Sequence, residues 1–415
     1  MKREIPYGVI NWETLVRDCY VVDNTGYIRE LEKCRTPIFL RPKRFGKSIV
    51  CSMLEHYYDV NRKGRFQELF GRFDIGRNPT PLANSFLVLK FDFSTITVGT
   101  VKEIEERFFE NVKNSVSLFA KRYESLADWS SIWSVESPSA LIDGVRRVIL
   151  ANKLPPLYVI IDEYDNFTNE LVVSRRDADY DAICGHDNEQ PRESFFKAFF
   201  KSFKAGLADN SVGRSYFTGV LPITLDDLSS GFNVGTVISL DENKLGMVGF
   251  SEEQVEKYVD DVFTDYGFDS SMKKTVLSDL KAFYDGYHFL PDSKPLYNST
   301  ICNWYLRCLV VNGGKIPENA IDANVRTDVA WIRLLAGGAA EARERIRGYI
   351  ERGEGDFVAC NKMLTFARVR SGGRLASLPY YLYYLGYLTF DSPFELKIPN
   401  RAVRQVLEDA LHDWV

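Results

Sequence analysis

Apolar residues along this chain follow two rhythms. Short unbroken or alternating stretches occur at Ile38-Phe-Leu40, Phe86–Phe93, Leu157–Ile161 and Arg214–Pro222, and each reads as a strand. Leu157–Ile161 is continuously apolar, as expected of a parallel strand buried on both faces. Between these stretches the spacing becomes helical. A helix is predicted from Ile49 to Tyr58, and 101–151 is helix-rich, with Glu and Lys on its polar positions. That stretch supplies the crossover that parallel strands require. Ser194–Gly206 places Phe195, Phe196, Phe199, Phe200 and Phe203 on one side, a pattern of core packing. Strands alternating with helices make the first half α/β, around a mostly parallel sheet. Residues 168–193 are polar and acidic and read as a loop, either a plain surface insertion or a gate beside the preceding strand.

After about residue 225 strands give way to helices. Residues 251–290 open with Ser251 as N-cap and Gln254 at the capping-box position. Residues 300–350 continue as helices, including Glu341–Arg352 with its i,i+4 charge pairs. The apolar run Leu378–Thr389 leads into a short hairpin from Leu388 to Ile398. The expected domains are therefore a core over 1–225, a helical lid over 226–299 and a helical, winged-helix-like region over 300–415. The mixed charge of the last region favours packing or a protein partner over DNA.

Composition narrows the class. In 415 residues, 45% hydrophobic and 13% aromatic content excludes a largely disordered chain and implies more than one core. A net charge of −5 gives no global attraction to nucleic acid or anionic membrane. No apolar run approaches a membrane-spanning length, and Met1-Lys-Arg-Glu-Ile-Pro lacks the apolar core of a signal peptide. The seven cysteines are scattered without a Cys-x-x-Cys pair, and there are four histidines. They read as free thiols in a reducing compartment, the cytoplasm or the nucleus, rather than as a zinc site. The aromatic residues of the lead-in, Tyr7, Trp12, Tyr20 and Tyr27, read chiefly as core.

Candidate chemistry sits at the ends of the predicted strands. Ile38–Leu40 runs into Arg41-Pro-Lys-Arg-Phe-Gly-Lys-Ser48, and a helix follows. This is the strand–loop–helix setting of the phosphate-binding G-x-x-x-x-G-K-[ST] motif, Walker A, with Arg41 where the first glycine belongs. The helix N-terminus offers unpaired N–H groups and the positive end of a dipole. The candidate phosphate site is Arg41, Pro42, Lys43, Arg44, Phe45, Gly46, Lys47, Ser48 and Ile49. Lys47 would reach the β- and γ-phosphates and Ser48 would ligate Mg²⁺. The three cations before Phe45 suit a polyphosphate or an ordinary solvated basic turn. Leu157–Ile161 ends in Asp162 and Glu163, a Walker B pattern. Asp162 fits a metal ligand and Glu163 the base that polarises an attacking water; the alternative is a solvated acidic turn. Asp92 at the end of Phe86–Phe93 either faces the metal or caps a turn. Thr218 occupies the position of a polar sensor of the γ-phosphate, and Arg44 or Arg214 would supply a charge-neutralising guanidinium.

Arg41–Ser48 resembles the Arg-Pro-Arg-Arg-Phe-Gly-Lys-Ser loop of the AAA-ATPase-like family. Further stretches match in order: Ile5–Gly8, Tyr20–Thr25, Phe91–Ser94, Ile161–Asp165 and Phe217–Val220, then Phe283–Tyr287, Leu296–Asn298, Leu385–Thr389 and Ile398–Asn400. The resemblance covers nearly the whole chain and implies an ATP- and Mg²⁺-binding P-loop NTPase. It also implies a C-terminal PD-(D/E)xK nuclease-like domain after Ile398-Pro-Asn400, whereas this chain stops at Val415. Glu395-Leu-Lys397 has the form of a nuclease triplet, but no partner acid precedes it at a sensible spacing. The expectation is an ATPase acting as a conformational switch for a protein partner or effector domain, with DNA implied only by the family. The alternative is a nucleotide-binding regulatory module with negligible hydrolysis. A kinase is a weaker third reading, since no acceptor-site signature is present.

Overall fold

The computed structural model describes residues 2–184, 194–228, 232–317, 321, 340–352 and 374–412. The chain divides into two compact units. One comprises 25–40 and 51–239; the other comprises 1–24, 41–50 and 240–415.

The first unit is built on a five-stranded sheet. Its strands are β1 (Pro37–Leu40), β2 (Leu87–Asp92), β3 (Leu157–Asp162), β4 (Val212–Gly219) and β5 (Thr236–Val237), in the order β2-β3-β4-β1-β5. Every pairing is parallel. All six residues of β3 are buried, which explains why its sequence is unbroken in apolar character up to Asp162. The helices Val101–Arg122, Pro138–Ala151 and Phe195–Asp209 form the crossovers. Phe196, Phe199, Phe200 and Phe203 are buried, as the one-sided spacing predicts. Phe199 meets Phe91 of β2 at 5.3 Å between ring centroids, and Phe200 meets Phe217 of β4 at 5.6 Å. The α/β class with a central parallel sheet, expected from sequence, is the class observed.

Two local expectations change. The stretch expected to be a polar loop over 168–193 begins as helix, Asn166–Val173 and then Asp177–Cys184; its remainder, 185–193, lies outside the described residues. Phe167, Leu171 and Val172 in the first helix, and Tyr180, Ile183 and Cys184 in the second, are all buried. Acidic residues interleaved with this apolar face mask its helical period in the sequence. β4 also ends at Gly219 instead of running on to Pro222, because Asp165 captures the N–H groups of Val220 and Leu221.

The second unit is helical, with helices Glu252–Tyr266, Lys273–Tyr284, Ser299–Val311, Ala340–Arg352, Arg374–Tyr384 and Arg401–His412. Ser251 and Gln254 form the expected reciprocal capping box. The expected hairpin is β6 (Thr389–Phe390) paired antiparallel with β7 (Leu396–Lys397). Lys397 makes a cross-hairpin ion pair with Asp391 at 2.6 Å. The expected helices within 318–320 and 322–339 lie outside the described residues.

Candidate functional site

The candidate phosphate loop belongs to the second unit. β1 ends at Leu40, residues 41–46 turn, and helix Lys47–Tyr58 begins at Lys47. Gly46 accepts the first helical bond, from Val50, through its carbonyl at 3.3 Å. The N–H groups of Lys47, Ser48 and Ile49 are therefore the ones with no intrahelical acceptor. Gly46 has φ +92°, a conformation that favours glycine. Arg44 also lies in the left-handed region, at φ +69°. Alternating backbone conformations of this kind turn successive N–H groups inward, into an anion-binding concavity. Lys47 is buried, and its ammonium donates to the carbonyls of Arg41 and Pro42 at 3.1 and 3.2 Å. It is thus held across the mouth of its own loop.

Arg41, standing in for glycine, is only 2% exposed. Its guanidinium lies over the Phe289 ring, 4.0 Å from the centroid, and donates to the Leu245 carbonyl at 3.4 Å. Burial pushes the Tyr384 phenol up to about 12, against the opposing charge of Arg41. Arg41 therefore offers the loop its backbone, while its side chain is directed into the helical unit. Phe45 is buried likewise, edge-on to Tyr287 and Phe289.

The acidic cluster belongs to the first unit, at the carboxyl end of its sheet, the edge where open α/β sheets bind ligands. Asp162 ends β3 and is 3% exposed. Its register partner is Asp92, the last residue of β2. Asp92 is exposed and its carboxylate accepts from the Ser94 N–H at 2.9 Å, so it caps a turn beside Asp162. Glu163 is half-buried and has φ +52°, a strained conformation for a residue with a Cβ. The next peptide fixes it: the Tyr164 N–H donates to the Thr218 carbonyl at 3.1 Å. Thr218 is fully buried, and its hydroxyl donates to the Phe39 carbonyl of β1 at 2.8 Å. Arg214 lies near the opposite, amino end of β4, with its guanidinium on the carbonyls of Glu32 and Cys34. That placement removes it as a source of charge at the carboxyl edge.

Sequence reasoning passed over Asp165. This residue is fully buried, and its Oδ2 accepts from the N–H groups of Val220 and Leu221 at 2.9 and 2.6 Å and from the Asn169 amide. The Tyr164 hydroxyl donates to the Leu221 carbonyl at 2.8 Å. Together these bonds latch the turn after β3 to the turn after β4. Gly219 makes the close approach feasible, since a Cβ there would fall 2.2 Å from Asp165 Oδ1. Desolvation, assisted by the nearby charge of Glu163, raises the Asp165 carboxyl to about 6. The only sequence signal was a third acid in Asp-Glu-Tyr-Asp.

A family model described as a predicted AAA-ATPase matches residues 6–229, just over half of the chain. The chain belongs to this AAA-ATPase-like family. The match spans the loop at 41–48, the acidic strand end and Thr218. No curated protein sequence matches the chain. Among solved structures, Cdc6p from Pyrobaculum aerophilum is similar at 9% identity and TM-score 0.31, over 91% of this chain and 88% of that one. The Aeropyrum pernix ORC2 protein, solved as ADPNP–ADP complexes, is similar at 8% identity and TM-score 0.34, over 94% and 92%. Both likenesses are weak.

Proposed function

We propose that this chain binds ATP with Mg²⁺ and hydrolyses it, the cycle serving as a conformational switch for a partner or effector domain. The observation that carries this reading is the turn at 41–46. It pairs a left-handed Gly46 with a helix N-terminus and a buried Lys47 ammonium, inside a family of predicted ATPases. By their chemistry the N–H groups at 47–49, the Lys47 ammonium and the Ser48 hydroxyl suit a magnesium-bound triphosphate, and Asp162 is the kind of carboxylate that magnesium accepts. Among the described residues no group of three or more His, Cys, Asp or Glu is placed to hold a metal. Magnesium needs no such cage, because it is held by one or two protein groups plus phosphate and water. When bound, it neutralises charge on the transferring phosphoryl group.

The roles follow from the chemistry of each group. Lys47 leaves the Arg41 and Pro42 carbonyls to meet the β- and γ-phosphates, while the helix N-terminus binds their oxygens. Ser48 and Asp162 are the residues that would ligate the metal, as the sequence pattern implies. Glu163 accepts a proton from the attacking water. Thr218 acts as sensor by redirecting its single proton from the Phe39 carbonyl. No helix among the described residues is long and apolar enough to cross a membrane, and neither membrane nor DNA enters the proposal.

One observation favours a second reading, a nucleotide-binding module with negligible hydrolysis. The Thr218 hydroxyl is already committed to Phe39, and a hydroxyl has only one proton to give. Turnover of ATP with Mg²⁺ by the wild type, Lys47→Ala and Glu163→Gln separates the two. Hydrolysis requires turnover in the wild type, a drop of ~100-fold or more in Glu163→Gln with binding retained, and weakened binding in Lys47→Ala. Lys47-dependent binding without turnover in the wild type would establish the module instead.

A further inference from the structure

The turn at 41–46 is shaped by side chains where a glycine-rich loop relies on backbone freedom. Arg44 is held left-handed at φ +69° despite its Cβ, a cost that persists only where the surroundings over-determine it. Those surroundings are contacts within the helical unit. The Arg44 carbonyl accepts from the Thr300 N–H at 3.3 Å. The Phe45 carbonyl accepts from the Gly249 N–H at 3.2 Å and from the Ser299 hydroxyl at 3.1 Å. The Phe45 ring meets Tyr287 at 4.8 Å and Phe289 at 5.4 Å, both edge-on, and Arg41 covers the Phe289 ring. Pro42 abuts Gly386, where a Cβ would fall 2.8 Å from that of Pro42. Lys47's acceptors, Arg41 and Pro42, and the residues that follow them, Arg44 and Phe45, are thus pinned.

The seat itself is assembled from the late sequence stretches to which no role had been given. Tyr287 and Leu296 exchange backbone bonds at 3.2 and 3.1 Å, and Phe250 and Tyr297 do so at 3.1 and 2.9 Å. Asn298 caps helix Ser299–Val311, which presents Ser299 and Thr300 to the loop. The Asn400 amide donates to the Asp285 carbonyl at 2.8 Å, and Gly286 lies so close to Pro399 that a Cβ would fall 2.2 Å from the Pro399 carbonyl oxygen. The Tyr383 hydroxyl donates to the Phe289 carbonyl at 3.0 Å. Phe283–Tyr287, Leu296–Asn298, Leu385–Thr389 and Ile398–Asn400 therefore build one socket.

We propose that Phe289, Tyr287 and Ser299 are positioning residues for nucleotide binding. They act through Arg41 and Phe45 to hold the turn in its phosphate-receiving shape, and through the same contacts nucleotide occupancy is felt at residues 245–300. The inference rests on the nucleotide reading above. It gives Arg41 a purpose: the guanidinium that replaces a flexible glycine is a mechanical link to the helical unit. Movement of Lys47 from its two carbonyl acceptors onto phosphate loads the turn, and the bonds from Gly249, Ser299 and Thr300 register the change.

The test measures MgATP affinity together with amide hydrogen exchange in the full chain, for the wild type, Ser299→Ala and Phe289→Leu. In the wild type, MgATP is expected to slow exchange at the Gly249 and Thr300 amides, which donate to the loop. Loss of one hydrogen bond in Ser299→Ala is expected to weaken binding about fivefold. Phe289→Leu, which keeps an apolar side chain but removes the ring under Arg41, is expected to weaken binding more and to abolish the nucleotide-dependent slowing. Exchange within helix Glu252–Tyr266 without nucleotide serves as the control for folding; a merely structural role would alter it and leave the nucleotide response in place. If the wild type binds MgATP, but both variants bind equally well and the two amides do not respond, the positioning role is refuted and the nucleotide reading stands. No binding by the wild type would overturn the nucleotide reading and this inference with it.

Discussion

Asp165→Asn tests the latch between the turns after β3 and β4. The wild-type carboxyl is fully buried, and desolvation raises it from an ordinary 3.8 to about 6. A raised carboxyl favours the protonated form in the folded state. Its stabilising contribution is fully present below pH 3.8 and is lost as the pH rises through 6. At about 1.4 kcal/mol per pH unit, the gap amounts to about 3 kcal/mol. Asparagine keeps the shape and an acceptor oxygen for Val220 and Leu221 but does not titrate. The stability of Asp165→Asn relative to wild type is therefore expected to rise by about 3 kcal/mol between pH 3 and pH 7.5, whatever its offset at pH 3. In a unit of this size that corresponds to about 6–12 °C in the difference of melting temperatures. Thermal unfolding of both proteins across this pH range measures it. A difference in melting temperature that stays constant with pH would refute the buried-acid argument.

Two further outcomes follow from the packing. Gly286→Ala adds a Cβ at φ +92° against the Pro399 carbonyl and should destabilise the helical unit by about 2 kcal/mol or more in urea unfolding. Burial raises the Glu55 carboxyl, yet Lys90 and Arg122 outweigh that effect and hold it below its ordinary value. Glu55→Gln should then cost about 2 kcal/mol at pH 7, allowing for the partial exposure of both cations. The cost should shrink as the pH falls through the Glu55 titration, and an unchanged cost at low pH would count against the pairing.

Much of the fold was legible because its signals are local. Leu157–Ile161 has no polar interruption, so it reads as a buried strand without any knowledge of its neighbours. The five phenylalanines after Ser194 fall on one face. Gly46-Lys47-Ser48 and Asp162-Glu163 stand at the strand ends, where the physics of helix termini and buried strands places chemistry. Other features were not legible because they are made by contacts between distant residues. Nothing near Arg41 in the sequence shows that its guanidinium would rest on Phe289. The role of Asp165 depends on two N–H groups more than fifty positions away. Thr218 was identified by its position at the end of an apolar strand, but the direction of its hydroxyl, toward Phe39, required the β1–β4 register. The helices at 166–184 were hidden because acidic residues interrupt their apolar period.

The most direct test of the central claim is equilibrium binding of radiolabelled ATP with Mg²⁺ to the purified chain, beside Lys47→Ala. The account predicts saturable binding of one nucleotide per chain, weakened at least tenfold in Lys47→Ala by loss of a charge-assisted contact to phosphate. Binding that is absent in the wild type, or equally tight in Lys47→Ala, would contradict it.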